Sequence, residues 1–96
     1  MRIFWTDAAL NQLEAIRDYL EQTSPDYARR VVERLVDHSE QIAAFPRSGR
    51  MVPEYEIDDV RQIIEGSYRL IYLIKEDQVE VLAVIHTSRK GLPQEE

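Results

Sequence analysis

Cysteine is absent from this 96-residue chain, and glycine and proline are scarce, with three and four residues. A chain without cysteine has neither a disulfide framework nor a thiolate metal site. It contains no apolar run of the ~18 residues that a membrane helix needs, and its N-terminus lacks the apolar stretch of a secretory signal. These absences predict a single domain, located in the cytoplasm and without membrane association.

Basic residues are also too few for a phosphate-binding surface. The chain has 12 Lys and Arg against 18 Asp and Glu, which gives a formal net charge of −6. Residues 51–96 hold most of the excess, with five basic against ten acidic side chains. Because nucleic-acid phosphates are held by clustered Lys and Arg, we expect no direct nucleic-acid binding by this protein alone.

The first 44 residues have the pattern of a short strand followed by a helical hairpin, residues 7–44. The apolar run at 2–5 predicts the strand, and Thr6 is suited to cap a first helix over 7–22. Ser24 followed by Pro25 is a second helix start, and apolar spacing predicts that this helix continues to Ala44. We therefore expect two closely joined helices, each with one apolar face.

Residues 45–59 form a polar connection without helical or strand periodicity, and we predict a loop. Four acids in it raise the question of a metal site: Glu54, Glu56, Asp58 and Asp59. No histidine and no regular ligand spacing accompany them, so a solvated acidic loop is the favoured interpretation. We expect no metal and no cofactor.

Residues 60–88 predict a three-stranded antiparallel meander, with two-residue turns at Gly66-Ser67 and Glu76-Asp77 and a loose tail at 89–96. Strict alternation from these turns predicts a helix-facing side made of Tyr68, Leu70, Tyr72, Ile74, Val79, Val81, Ala83 and Ile85. The opposite side would carry Arg69, Ile71, Leu73, Lys75, Gln78, Glu80, Leu82, Val84 and His86. Two helices can cover only one face, so we expect the apolar patch Ile71, Leu73, Leu82 and Val84 to be exposed and covered by a partner protein.

Several of these features occur together, in order, in one known group of proteins. They are a P-x-x-G-R sequence at residues 46–50, Arg61, the run YRLIY at residues 68–72, and His86-x-x-Arg89 at the end of the last strand. This combination resembles the RelE/ParE superfamily of toxins from type II toxin-antitoxin systems, and its ParE branch most closely. The resemblance implies an α+β fold of order β-α-α-β-β-β, with a helical hairpin on one face of a small antiparallel sheet. It also implies an antitoxin partner, a hetero-oligomeric complex and no cofactor.

The superfamily divides into two functions, so the residues must decide between them. RelE-like members cleave mRNA on the ribosome, whereas ParE-like members inhibit DNA gyrase. Arg69 and Arg89 lie at the positions of the superfamily's catalytic arginines, and His86 is the group left to act as a base. The ribonucleases' lysines before Tyr68 and their C-terminal tyrosine are absent here. We therefore predict a gyrase inhibitor with no catalytic residues.

Two alternatives remain open: a ribonuclease using Arg69, His86 and Arg89, and an inactive homologue that only binds an antitoxin. For binding to the target or to the antitoxin, the expected contact residues are Arg61, Arg69, Ile71, Leu73, Leu82, Val84, His86 and Arg89.

Several residues also have a purely structural interpretation. Arg61 and Arg69 are equally suited to pair with acids such as Glu65 or Glu80. Core packing is expected for Trp5, Tyr68 and Tyr72, solvent exposure for His38, and bracing of the loop for Arg50.

Overall fold

The computed structural model describes residues 1–88, so the predicted tail and Arg89 lie outside the described residues. The elements are β1 (Arg2–Trp5), α1 (Asp7–Glu21), α2 (Pro25–Ala44), a 3-10 turn (Pro46–Ser48), β2 (Arg50–Met51), β3 (Val60–Glu65), β4 (Tyr68–Ile74) and β5 (Gln78–His86). The predicted α+β order is confirmed. The prediction that residues 45–59 contain no regular structure was wrong, because the 3-10 turn and β2 lie there. Among residues 1–88, no helix is both long and apolar enough to cross a membrane.

Both helices begin where the sequence places their caps. The Thr6 hydroxyl accepts a hydrogen bond from the Ala9 amide at 3.1 Å, and the Ser24 hydroxyl accepts one from the Tyr27 amide at 3.2 Å. Each cap satisfies an amide that has no partner within the helix. The Thr6 hydroxyl also donates to the Val81 carbonyl at 3.0 Å, which joins the start of α1 to β5.

The strands form one mixed sheet in the order β1-β5-β4-β3-β2, in which β1 runs parallel to β5 and the other pairs are antiparallel. Both predicted two-residue turns are confirmed. Glu65 pairs with Tyr68 across the first, where Gly66 has the positive φ of 58° that glycine adopts easily. At the second, the Lys75 amide donates to the Gln78 carbonyl at 2.8 Å.

A β-bulge at Leu82 interrupts the alternation that the turns establish. Tyr72 pairs with Val81, but the neighbouring Ile71 pairs with Ala83, so Leu82 is an extra residue in β5. One extra residue turns every later side chain of the strand to the opposite face. The predicted faces of four residues were therefore wrong: Val84 and His86 face the helices, and Ala83 and Ile85 lie on the other side.

The main core lies between the helices and the sheet. Trp5 and Tyr68 pack against its edge, and Tyr72 is fully buried within it, which confirms the packing roles predicted for these three residues. Its buried members are Ala9, Val31, Leu35, Ile42, Leu70, Tyr72, Ile74, Val79, Val81 and Val84. Val84 thus contributes to the core and not to an exposed patch.

A second, smaller core lies on the opposite face of the sheet. Ile71 is fully buried there with Val60, Ala83 and Ile85, beneath Val52 of the connection between α2 and β3. The predicted exposed patch was therefore wrong, since Ile71 and Val84 are buried and Leu73 and Leu82 are half-buried. We attribute the difference to the 45–59 connection, which folds over this face and removes apolar surface from water without a third helix.

Candidate functional site

Arg69 is buried on the sheet face that lies away from the helices, with 6% of its surface exposed. Its two terminal nitrogens each lie 2.9 Å from one carboxylate oxygen of Glu54, and its Nε donates to the Gln62 side-chain oxygen at 2.8 Å. This is the bidentate geometry in which a guanidinium binds a carboxylate or a phosphate. A phosphate that approached Arg69 would therefore have to displace Glu54.

His86 lies at the exposed end of β5, on the helix-facing side. Its ring packs edge-on against Tyr68 at 5.7 Å between centroids, and its Nδ1 accepts a hydrogen bond from the Ser88 amide at 3.1 Å. Tyr68 pairs with His86, while the next residue, Arg69, pairs with Ile85. Because adjacent residues of a strand point to opposite faces, the Arg69 and His86 side chains are directed away from each other. The structure does not bring these two predicted site residues together.

Arg61 braces the loop instead of projecting into solvent. Its Nε donates to the Asp58 carbonyl at 2.8 Å, its terminal nitrogens reach the Gly49 carbonyl at 3.1 Å and the Asp58 carboxylate at 2.9 Å. Arg47 completes this network, with Asp58 and Asp59 at 2.8 and 2.9 Å. The predicted pairing of Arg61 and Arg69 with acids is confirmed, but their partners are loop residues.

The loop acids therefore have structural roles that the sequence did not indicate. Glu54, Asp58 and Asp59 all pair with arginines. The expectation of a solvated acidic loop was wrong for Glu54, which is largely buried, whereas the Asp58 and Asp59 side chains remain exposed to solvent. Within residues 1–88, no group of three potential metal ligands is placed to hold an ion. The predicted exposure of His38 was also wrong, because its Nε2 lies 2.7 Å from the Glu65 carboxylate and the side chain is largely buried.

Tyr72 connects the sheet to the P-x-x-G-R sequence. Its hydroxyl donates to the Pro46 carbonyl at 2.6 Å and accepts from the Gly49 amide at 3.0 Å. Burial raises the pKa of the Tyr72 hydroxyl, which keeps it a proton donor at neutral pH. The sequence patterns described above do not predict this contact. The features that point to it are a tyrosine on the core face of β4 and a glycine near the start of the loop.

Replacing Tyr72 with phenylalanine tests this connection. We expect the free energy of unfolding to fall by about 2 kcal/mol, since a buried amide and a carbonyl each lose their partner. Urea denaturation followed by circular dichroism measures the loss. The control is Tyr19→Phe, at an exposed tyrosine, which should change stability by less than about 0.5 kcal/mol. Equal effects of the two substitutions would contradict a role for the buried hydroxyl.

Comparisons with known proteins identify the family to which this chain belongs. A family model for the ParE toxin of type II toxin-antitoxin systems matches residues 3–91. The chain is 36% identical to the protein named "Putative toxin Y4kP" of Sinorhizobium fredii, over 93% of this chain and 91% of that protein. It is 30% identical to Toxin RelE2 of Caulobacter vibrioides, over 92% and 97% of the two chains.

Solved structures show the same fold at lower identity. The superposition on the chromosomal ParDE toxin-antitoxin system from P. aeruginosa has a TM-score of 0.73 at 24% identity, over 90% of this chain and 95% of the other. A YoeB/ParE toxin from Agrobacterium tumefaciens gives a TM-score of 0.64 at 17% identity, over 90% and 98%. The sequence matches and the two-layer fold lead to the same conclusion: this chain belongs to the ParE toxin family of type II toxin-antitoxin systems, within the RelE/ParE superfamily.

Proposed function

We propose that this toxin inhibits DNA gyrase by binding to it and does not cut RNA. The observation that carries the proposal is the placement of Arg69 and His86 on opposite faces of the sheet. Metal-independent RNA cleavage needs a base, an acid and a cation arranged around one phosphate. Arg69 and His86 are two of the three residues on which the ribonuclease interpretation rests. Their side chains point away from each other, which favours a binding function.

The Glu54 contact supports the same proposal. The Arg69 guanidinium already holds a carboxylate in the bidentate arrangement that a phosphate would use. Displacing Glu54 would break two charge-assisted hydrogen bonds at a carboxylate whose side chain is only 21% exposed. The formal charge of −6 adds general repulsion of RNA. Together these features favour a protein target over RNA.

We also propose an antitoxin partner. Two of the structures with this fold are described as a ParDE system and as the RelBE2 toxin-antitoxin complex from Mycobacterium tuberculosis, the second with a TM-score of 0.63 at 22% identity, over 88% of this chain and 95% of that one.

In this chain Phe4, which is 51% exposed, lies in one row with Glu80 and the half-buried Leu73 across β1, β5 and β4. This row is a better candidate contact surface than Ile71, Val84 and Arg69, which are buried.

A supercoiling assay with purified gyrase tests the proposed target. We expect the toxin to block supercoiling, the antitoxin to restore it, and mRNA to stay intact in a translation extract that contains the same amount of toxin. Ribosome-dependent cleavage of mRNA with unchanged supercoiling would show that the ribonuclease alternative is correct. Failure to affect either system or to arrest growth, with antitoxin binding retained, would instead support the inactive binding module.

A further inference from the structure

A cavity of about 280 Å³ lies between the second half of α2 and the outer edge of β3. It is lined by residues of α2, the 3-10 turn, β2 and β3, namely His38, Gln41, Ser48, Gly49, Arg50, Gln62, Ile63 and Ile64. The strand β2 pairs with β3 only at Arg61 and Gln62, so the cavity opens where this edge is no longer covered by a strand. It includes neither Arg69 nor His86, although Gln62 and Ile64 also line the depression around Arg69 on the other side of β3.

The polar side chains of this cavity can all donate hydrogen bonds, and no carboxylate lines it. The side chains of Gln41 and Arg50 are exposed and have no hydrogen-bond or ion-pair partner within residues 1–88. Most arginines in that range are paired with acids, and Arg30 lies over the Tyr27 ring. The chain as a whole has a net charge of −6. This cavity differs from the rest of the surface because Arg50 lines it as a cation without an acidic partner among residues 1–88.

His38 is fixed at the wall of this cavity by its contact with Glu65. The 2.7 Å hydrogen bond uses Nε2, and the other oxygen of the same carboxylate lies 3.8 Å from Arg34. Glu65 therefore orients the imidazole without itself lining the cavity. The side chains that meet there come from three elements, α2, the 3-10 turn and β2, and the cavity between them is open to solvent.

We propose that this cavity binds the phosphate group of a small molecule, with Arg50 as the principal cation and Gln41 as a further donor. A guanidinium forms strong charge-assisted hydrogen bonds with phosphate oxygens. The volume is near the lower end for ligand cavities, which is enough for a phosphate with a sugar-sized group attached. The site does not depend on the proposed gyrase function.

The test is an NMR titration of the ¹⁵N-labelled toxin with inorganic phosphate. We expect saturable shifts of the Gln41 side-chain amide and of the Arg50 and Ile64 backbone amides. Arg50→Gln should weaken phosphate binding at least tenfold. The matched control is Arg2→Gln, since Arg2 is likewise an exposed arginine without a partner in residues 1–88 and lies on β1 at the opposite edge of the sheet. That variant should bind phosphate like the unmodified toxin.

AMP and adenosine extend the same titration. AMP should shift the same resonances as inorganic phosphate and adenosine should not. Tighter binding of AMP would identify the ligand as a phosphate ester, and equal binding would identify it as free phosphate. The proposal is overturned if Arg50→Gln leaves binding unchanged, if Arg2→Gln weakens it equally, if the shifts do not saturate, or if adenosine binds as well as AMP.

Discussion

Replacing Arg69 with alanine is expected to lower the free energy of unfolding by about 3 kcal/mol. The substitution leaves the Glu54 carboxylate and the Gln62 amide without their cation in a largely buried position, and broken buried ion pairs typically cost this much. The 52–59 loop loses one of its links to β4 at the same time, while the hydrogen bond from the Ile74 amide to the Asp59 carbonyl remains. Denaturation in urea measures the change, and a lower midpoint with an unchanged slope would identify it as a stability effect.

Two further variants make this prediction specific. Arg47→Ala removes the more exposed pairs with Asp58 and Asp59 and should lower the free energy of unfolding much less than Arg69→Ala, because exposed ion pairs are screened by solvent. The double variant Arg69→Met with Glu54→Leu should recover most of the loss, because neither residue then leaves a buried charge. Equal destabilisation by Arg69→Ala and Arg47→Ala would show that the Glu54 pair does not hold the loop.

This result also bears on how toxicity data are interpreted. Loss of toxicity in Arg69→Ala would follow from unfolding as readily as from loss of a catalytic group. Glu54→Gln separates the two explanations, since it releases Arg69 from its carboxylate while keeping the arginine. A ribonuclease that uses Arg69 would keep or gain mRNA cleavage in this variant, whereas a binding toxin whose loop depends on the pair would lose stability and show no cleavage.

The second large effect is expected for Gly49→Ala. An added Cβ would lie 2.5 Å from the Tyr72 hydroxyl oxygen and 2.7 Å from the Gln62 carbonyl oxygen, closer than real contacts allow. The φ of Gly49 is −79°, so the requirement for glycine comes from space and not from the backbone angle. We expect a loss of about 3 kcal/mol in the free energy of unfolding, at the upper end for overpacking, since the hydrogen bond to Tyr72 is also disturbed.

Gly66→Ala is the matched control. The turn glycine has φ of 58° and no atom within 4 Å of an added Cβ, so only the backbone conformation is penalised, by about 1 kcal/mol. Thermal unfolding of the two variants compares the effects directly. A larger loss of stability in Gly66→Ala than in Gly49→Ala would contradict the conclusion that position 49 requires glycine because it packs closely against Tyr72 and β3.

The Gly49 site also shows what the P-x-x-G-R sequence does in this fold. Pro46 supplies a carbonyl and Gly49 an amide to one tyrosine hydroxyl, and Gly49 further accepts a hydrogen bond from Arg61 through its carbonyl. These contacts join the loop to β3 and β4. The motif that supports the family resemblance therefore has a structural role at Pro46 and Gly49, and Arg50 is the member directed to a separate cavity.

The sequence by itself determined the two helices, the two hairpin turns and the strands β1, β3, β4 and β5. Thr6 and Ser24 bond to amides three residues away, and the φ of Gly66 is a property of one residue, so these features depend on neighbours in the chain. The low basic content, which argues against direct nucleic-acid binding, can likewise be read without a fold.

The tertiary structure alone decided which face the residues of β5 after Leu82 occupy and which acids Arg61 and Arg69 meet. The bulge at Leu82 depends on how β5 fits β1, β4 and α1 together, and no local residue pattern marks it. Glu54 and Arg69 are 15 residues apart and meet only after the loop has folded over the sheet. The shift of one residue in register places His86 and Arg69 on opposite faces of the sheet, and so separates two of the residues on which the ribonuclease alternative rests.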